Sequence, residues 1–136
     1  MKTFVDTWGW LVAANRADKD HDRVSKIFKD FKGQFYTTDY VLNETITMMF
    51  SRHHYEKGKE FIEGILQTSS VGALTIVHIN KELFLKAWAL RLKYKDKPNI
   101  SFVDFSSFAV MHEYKVKEVI TGDKHFEEVG MGFMRI

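Results

Sequence analysis

The sequence predicts an α/β fold, with a central, mostly parallel sheet and helices on both faces. Short β-rich runs alternate along the chain with longer stretches of helical spacing, the pattern of strands joined by crossover helices. The 136 residues are 45% hydrophobic, enough to build a real core in one domain, residues 1–136, without covalent staples. No repeat, low-complexity tract or linker divides the chain, and its single proline, Pro98, falls in the loop KYKDKPN between two structured stretches.

The elements follow in order. Thr3–Val5 reads as a first strand, and Asp6 stands at its exit. Trp8–Asn15 has helical spacing; Trp8 or Trp10 could stack on bases, but core packing suits at least one of them. RADKDHDR, residues 16–23, reads as a solvated turn in which Asp20 or Asp22 caps the next helix, Asp22–Phe31. Gln34–Tyr36 is a second strand, and helices Asp39–Arg52 and Tyr55–Gln67 follow. Their stripe of Val41, Met48, Met49, Phe50, Phe61, Ile62 and Ile65 belongs mostly to the core, and any exposed surplus favours a dimer interface. Leu74–Val77 is a third strand, Lys81–Lys93 and Asp104–Tyr114 are helices, Glu118–Thr121 is a fourth strand, and Gly132–Arg135 a fifth. On the later helices, Lys86, Arg91, Lys93 and Lys95 form a basic face around Trp88, and His112 falls on an apolar side as a core histidine.

Composition narrows function by exclusion. With no cysteine, disulfides and thiolate metal sites are out, and a reducing compartment fits. There is no run of about 18 apolar residues and no signal pattern before the first strand, so a cytoplasmic protein without membrane attachment is expected. A net charge of +2 is too mild to indicate nucleic-acid binding by itself.

In open parallel sheets, sites form beyond the carboxyl ends of strands. Asp6 and Asp123 both follow strands, Asp104 opens a helix in SFVDFSSFAVM, and Glu44 lies inside TDYVLNETITMM between Val41 and Met48, at an apolar edge. Each aspartate taken alone is as readily a helix cap, and Glu44 alone as readily a solvated surface group. Together they could face one crevice, where four carboxylates are tolerable only with cations or raised pKa values. Mg²⁺ or Mn²⁺ suits such an oxygen cluster. The segment SRHHYEKGK, residues 51–59, carries Arg52, His53, His54, Lys57 and Lys59. It is either a phosphate-binding rim for RNA or an ordinary polar connection; zinc binding by the adjacent histidines lacks a cooperating ligand.

At these residues the chain resembles a known family. FVDTWGW, TTDYVLNETITMM, ISFVDFSSFAVMHEYKV and VITGDKHFEEVGM are similar, in order and spacing, to the four acidic motifs of PIN-domain ribonucleases, most nearly the VapC-type toxins. The resemblance runs from residue 3 to about residue 134, and the pairing of Asp104 with Asp123 nineteen residues later is its most specific part. It implies a three-layer α/β/α domain that cleaves RNA phosphodiesters with Mg²⁺ or Mn²⁺. Asp6, Asp104 and Asp123 would hold the metal, with Glu44 beside them orienting an attacking water or taking its proton. Thr7 and Thr121 would be supporting hydroxyls. The resemblance further implies an antitoxin partner and a homodimer. Phe105 departs from the small residue common at that place and is expected to narrow the crevice. Two other classes remain. One is a catalytically silent PIN-like binding domain, disfavoured because all four acids are present. The other is a phosphoryl-transfer module, either a receiver or a haloacid-dehalogenase-like phosphatase. That one fits worse, since IVHIN lacks a phosphoacceptor and Asp6-Thr7-Trp8 is not Asp-x-Asp.

Overall fold

A computed structural model describes residues 1–136. Five strands, β1 (Lys2–Val5), β2 (Gln34–Thr38), β3 (Leu74–Val77), β4 (Glu118–Ile120) and β5 (Met134–Arg135), form one sheet in the order β3-β2-β1-β4-β5. Every pairing is parallel. Seven helices connect them: α1 (Thr7–Ala14), α2 (His21–Asp30), α3 (Asp39–Arg52), α4 (Tyr55–Ser70), α5 (Lys81–Lys93), α6 (Phe102–Glu113) and the single turn α7 (His125–Glu128). None is long and apolar enough to cross a membrane.

The order of strands explains the layering. From β1 the chain steps outward to β2 and then β3, and from β3 it returns across the sheet to β4 on the far side of β1. Right-handed crossovers therefore put the helices between β1 and β3 on one face and those after β3 on the other. Contacts agree: α1 packs on α2 and α3, and α3 on α4, while α5 packs on α6 and α6 on α7. The direction of travel reverses between β1 and β4, which makes the gap beyond their carboxyl ends the switch point where such folds bind ligands.

Several helix starts are fixed by local chemistry. Thr38 caps α3 by accepting the Val41 N–H at 3.0 Å, and Asn80 caps α5 by accepting the Leu83 N–H at 2.9 Å. Ser101 caps α6 by accepting the Asp104 N–H at 3.1 Å, so the helix begins at Phe102 and Asp104 sits inside its first turn. Asp104 is thus not a cap. Asp20 occupies the N-cap position of α2 without a capping bond and pairs with Arg23 instead, at 3.5 Å.

Phenylalanines dominate the core. Phe4, Phe105, Phe108 and Phe126 are fully buried. Phe108 is a hub, with ring centroids 5.7 Å from Phe105, 4.9 Å from Phe126 and 5.7 Å from Phe133. Phe105 therefore does not narrow any crevice: it is sealed in the core between Phe108 and Tyr94, under the Arg91 guanidinium at 4.5 Å. His112 is exposed rather than a core histidine, because α6 turns that position outward. The basic face around Trp88 is also largely spent. Arg91 donates to the carbonyls of Ile100, Tyr94 and Lys97, and Lys86 pairs with Glu82 and Glu113. Trp10 is a core residue whose indole N–H donates to Thr37 Oγ1 at 3.3 Å, whereas Trp8 is half-buried.

Candidate metal centre

The first motif reaches the switch point because β1 ends there. The Asp6 N–H still donates to the Ile120 carbonyl at 3.2 Å, extending the β1–β4 ladder by one bond, and α1 starts at the next residue. Asp6 sits at the N-cap position, but its side chain makes no capping bond. Its Oδ2 instead accepts a hydrogen bond from the Thr121 hydroxyl at 2.8 Å, across the two strand exits.

Thr121 is used twice. Its Oγ1 also accepts the Asp123 N–H at 3.1 Å, which curls the chain after β4 into a tight turn. Asp123 Oδ1 then accepts the His125 N–H at 2.9 Å, completing a second small turn into α7. Phe126, packed edge-on against Phe108, anchors that turn to the core. On the other side, Gly122 lies under Trp8: a Cβ built there would stand 2.7 Å from the indole nitrogen. The turn carrying Asp123 is thus held from beneath and from one flank.

Asp104 comes from α6, and its Oδ2 lies 3.8 Å from His125 Nδ1, while Asp123 Oδ1 lies 3.1 Å from the same nitrogen. Asp104, Asp123 and His125 each offer a ligand atom within 4.8 Å of the others. Their electrostatics match this crowding. Burial pushes the Asp104 carboxyl up to about 8, aided by the charges of Asp6 and Asp123, a carboxyl–carboxyl hydrogen bond to Asp123, and the charge of Glu44. Burial also pushes Asp6 up to about 6; the Thr121 hydroxyl and the Thr7 backbone amide oppose the rise, and Asp123 and Glu44 add to it.

Not every expected residue joins this group. Glu44 is exposed on α3 rather than pressed against an apolar edge, and it reaches the cluster through its field on Asp6 and Asp104. The Thr7 hydroxyl turns away and donates to the Val41 carbonyl at 3.5 Å; Thr7 faces Asp6 only through its backbone. Asp39, another acid at a strand exit, is occupied elsewhere, its Oδ1 accepting the N–H groups of Tyr40 and Ile79. Sequence reasoning missed His125. Its signal was the placement two residues after Asp123, where an Asx-type turn brings ring and carboxylate together.

The polar connection after α3 splits. Arg52, His53 and Lys57 line a cavity of about 340 Å³ together with Trp8, Leu11 and Asn15. His54 is exposed at the N-cap of α4 and is not among the lining residues. Partial burial and the neighbouring charges of Lys57, His54 and Arg52 hold the His53 imidazole below its usual pKa. A larger cavity, about 780 Å³, lies between α1, α2 and α4.

A cluster of carboxylates at the switch point of an α/β sheet is the class of site that a divalent cation would neutralise. Its donors, the carboxylates of Asp104 and Asp123 and the His125 Nδ1, which is sealed from solvent without a hydrogen-bond partner, fit a divalent ion. The PIN domain family model matches residues 3–131, and the chain belongs to that family. A "23S rRNA-specific endonuclease VapC20" from Mycobacterium tuberculosis is 27% identical over 127 residues, covering 93% of each chain. The crystal structure of the Mycobacterium tuberculosis VapC20, described as a sarcin–ricin loop cleaving toxin, superposes with a TM-score of 0.83 at 25% identity, covering 98% of both chains. VapBC2 from Rickettsia felis, solved on a DNA fragment from its promoter, gives 0.73 at 14% identity, covering 100% of this chain and 98% of that one, a likeness of fold.

Proposed function

We propose that residues 1–136 form one nuclease domain, a metal-dependent endoribonuclease that acts as the toxin of a toxin–antitoxin pair. The observation that carries this reading is the convergence of Asp6, Asp104 and Asp123 beyond β1 and β4, with two of the three held above the ordinary carboxylate range. Such a cluster is built for a cation, and Mg²⁺ or Mn²⁺ is the ion its oxygens suit.

Asp104 and Asp123 would hold the ion, with Asp6, steadied by Thr121, beside them. When bound, a divalent ion supplies positive charge for the developing phosphorane oxygens and an acidified water. Glu44, at the exposed rim, takes the proton of the attacking water on its carboxylate. Arg52, His53 and Lys57 hold the RNA backbone beside Trp8, and His54 extends this rim. No protein nucleophile takes part.

The Mycobacterium tuberculosis relative makes the sarcin–ricin loop of 23S rRNA the first substrate to try. Its VapBC-type neighbours make an antitoxin the expected partner. The cavity between α1, α2 and α4, lined by Trp10, Ala13, Phe28, Phe61 and Ile65 with Arg16 and Lys29 at its edges, is a groove for an apolar antitoxin segment. Phe84, Leu85, Trp88 and Leu92, all exposed on α5, support a homodimer. A ribosomal RNA substrate would fit a cytoplasmic location, which is part of this proposal.

The test is cleavage of an RNA panel containing that loop, with Mg²⁺ or Mn²⁺ and with chelator. The expected result is cutting that needs the ion and vanishes in the Asp6→Asn, Asp104→Asn double variant. Equal cutting in chelator, or by the double variant, would overturn the mechanism. Metal binding without turnover on any RNA would favour a silent binding domain.

A further inference from the structure

We infer that His125 is a metal ligand through Nδ1, and that this nitrogen makes the centre prefer Mn²⁺ to Mg²⁺. The inference rests on reading the acidic group as a divalent-metal centre and concerns the ion that centre selects.

Three observations carry it. First, Nδ1 is buried and has no hydrogen-bond partner. It lies 3.1 Å from Asp123 Oδ1, yet the two are not aligned as a hydrogen bond. A histidine serving only as a counter-charge would point its N–H along that line, and buried ring nitrogens are rarely left idle. Second, the spacing suits shared coordination. Adjacent ligands about 2.1 Å from one ion in an octahedral shell stand about 3 Å apart. The 3.1 Å separation from Asp123 matches such an edge, and 3.8 Å from Asp104 falls between an edge and a diagonal. Third, the ring is held in place. The His125 N–H is fixed to Asp123 Oδ1, and the next residue, Phe126, is fully buried. The side chain itself is only 29% exposed.

Donor chemistry then sets the preference. Mg²⁺ is hard, dehydrates reluctantly and favours oxygen throughout; Mn²⁺ accepts oxygen as readily but gains more from an imidazole nitrogen. An all-carboxylate centre would leave the choice to abundance. One nitrogen tilts it.

The experiment uses the full chain stripped of metal. Mn²⁺ and Mg²⁺ are titrated separately by calorimetry into the wild type, His125→Ala and His125→Asn. Electron spin-echo spectra of the Mn²⁺ form are recorded alongside, since a coordinated imidazole imprints ¹⁴N modulation. The wild type should show that modulation, and both variants should lose it. Mn²⁺ affinity should fall about tenfold or more in the variants, with Mg²⁺ affinity little changed. Mn²⁺ that binds without ¹⁴N modulation, or modulation that persists in His125→Ala, overturns the inference. So does an equal loss for both ions, which would mean that the ring only shapes the turn. Should a variant fail to fold, the wild-type spectrum decides alone. Failure of Mn²⁺ and Mg²⁺ to bind at all removes the metal-centre reading itself, an outcome distinct from binding without nitrogen.

Discussion

Thr121 holds two acids with one oxygen. It donates to Asp6 and accepts from the Asp123 amide, so Thr121→Val removes one partner from each. The loss should be about 1–3 kcal/mol in stability, with cleavage falling further than stability because Asp6 then rides higher in pKa. Thr121→Ser should restore most of both; denaturant unfolding and cleavage rates check it. The raised carboxyls fix the sign of a pH effect. Asp104 stands near 8 and Asp6 near 6 when folded, against 3.8 unfolded. In that window the folded chain holds more protons than the unfolded one. Their contribution to stability is therefore full below about pH 4 and is lost as pH rises through about 8. The metal-free protein should melt lower near pH 9 than near pH 5, and Asp104→Asn should flatten the slope. A steeper slope in that variant would count against the assignment. At this scale the sequence was half legible. Asp6, Asp104 and Asp123 could be picked out because strand exits and helix starts aim side chains predictably. Asp39 had the same signal and is turned away, Thr7 and Glu44 point otherwise than expected, and the only signal for His125 was its spacing two residues after Asp123.

The turn between β4 and α7 is the element on which the centre depends. Its closest tolerance is Gly122, where any Cβ meets Trp8. Gly122→Ala must push the indole or the turn aside, costing about 1–3 kcal/mol and loosening Asp123. Metal affinity should drop more than the melting temperature suggests, and a variant with normal affinity would show that the indole yields freely. Ser101→Ala removes the cap of α6 and should cost about 1 kcal/mol while leaving Asp104 ionisation nearly unchanged. Strands and helices were legible because their periodicities differ. The start of α6 was not placed correctly, although Ser101 three residues before Asp104 was a visible cap signal. The fifth strand proved shorter than Gly132–Arg135, since Gly132 takes φ +87° and leaves the ladder to Met134 and Arg135.

Over the whole molecule, Asp6, Asp104 and Asp123 come from three separate segments and are brought together only by the fold. Strand order was the part no periodicity could reveal: that β4 returns to lie beside β1 is a long-range fact of packing. Because the centre exists only in the native state, divalent ions should raise the melting temperature. Saturation at about 100 times Kd corresponds to about 2.7 kcal/mol, on the order of 10 °C; a midpoint indifferent to millimolar Mn²⁺ and Mg²⁺ would argue against a preformed centre. The apolar face of α5 is a separate property. If it carries the proposed homodimer, Trp88→Glu with Leu92→Glu should turn a wild-type dimer into monomers in sedimentation with the sheet intact; a wild type that sediments as a monomer would remove that role.

The reversal of the chain between β3 and β4 also sets a clock. Residues 6 and 44 leave the ribosome early, but the crevice closes only when residues 118–123 dock beside β1. A growing chain interrupted before that point carries acids and no centre. Synthesis would thus yield a harmless polypeptide until nearly its last turn of sheet is in place.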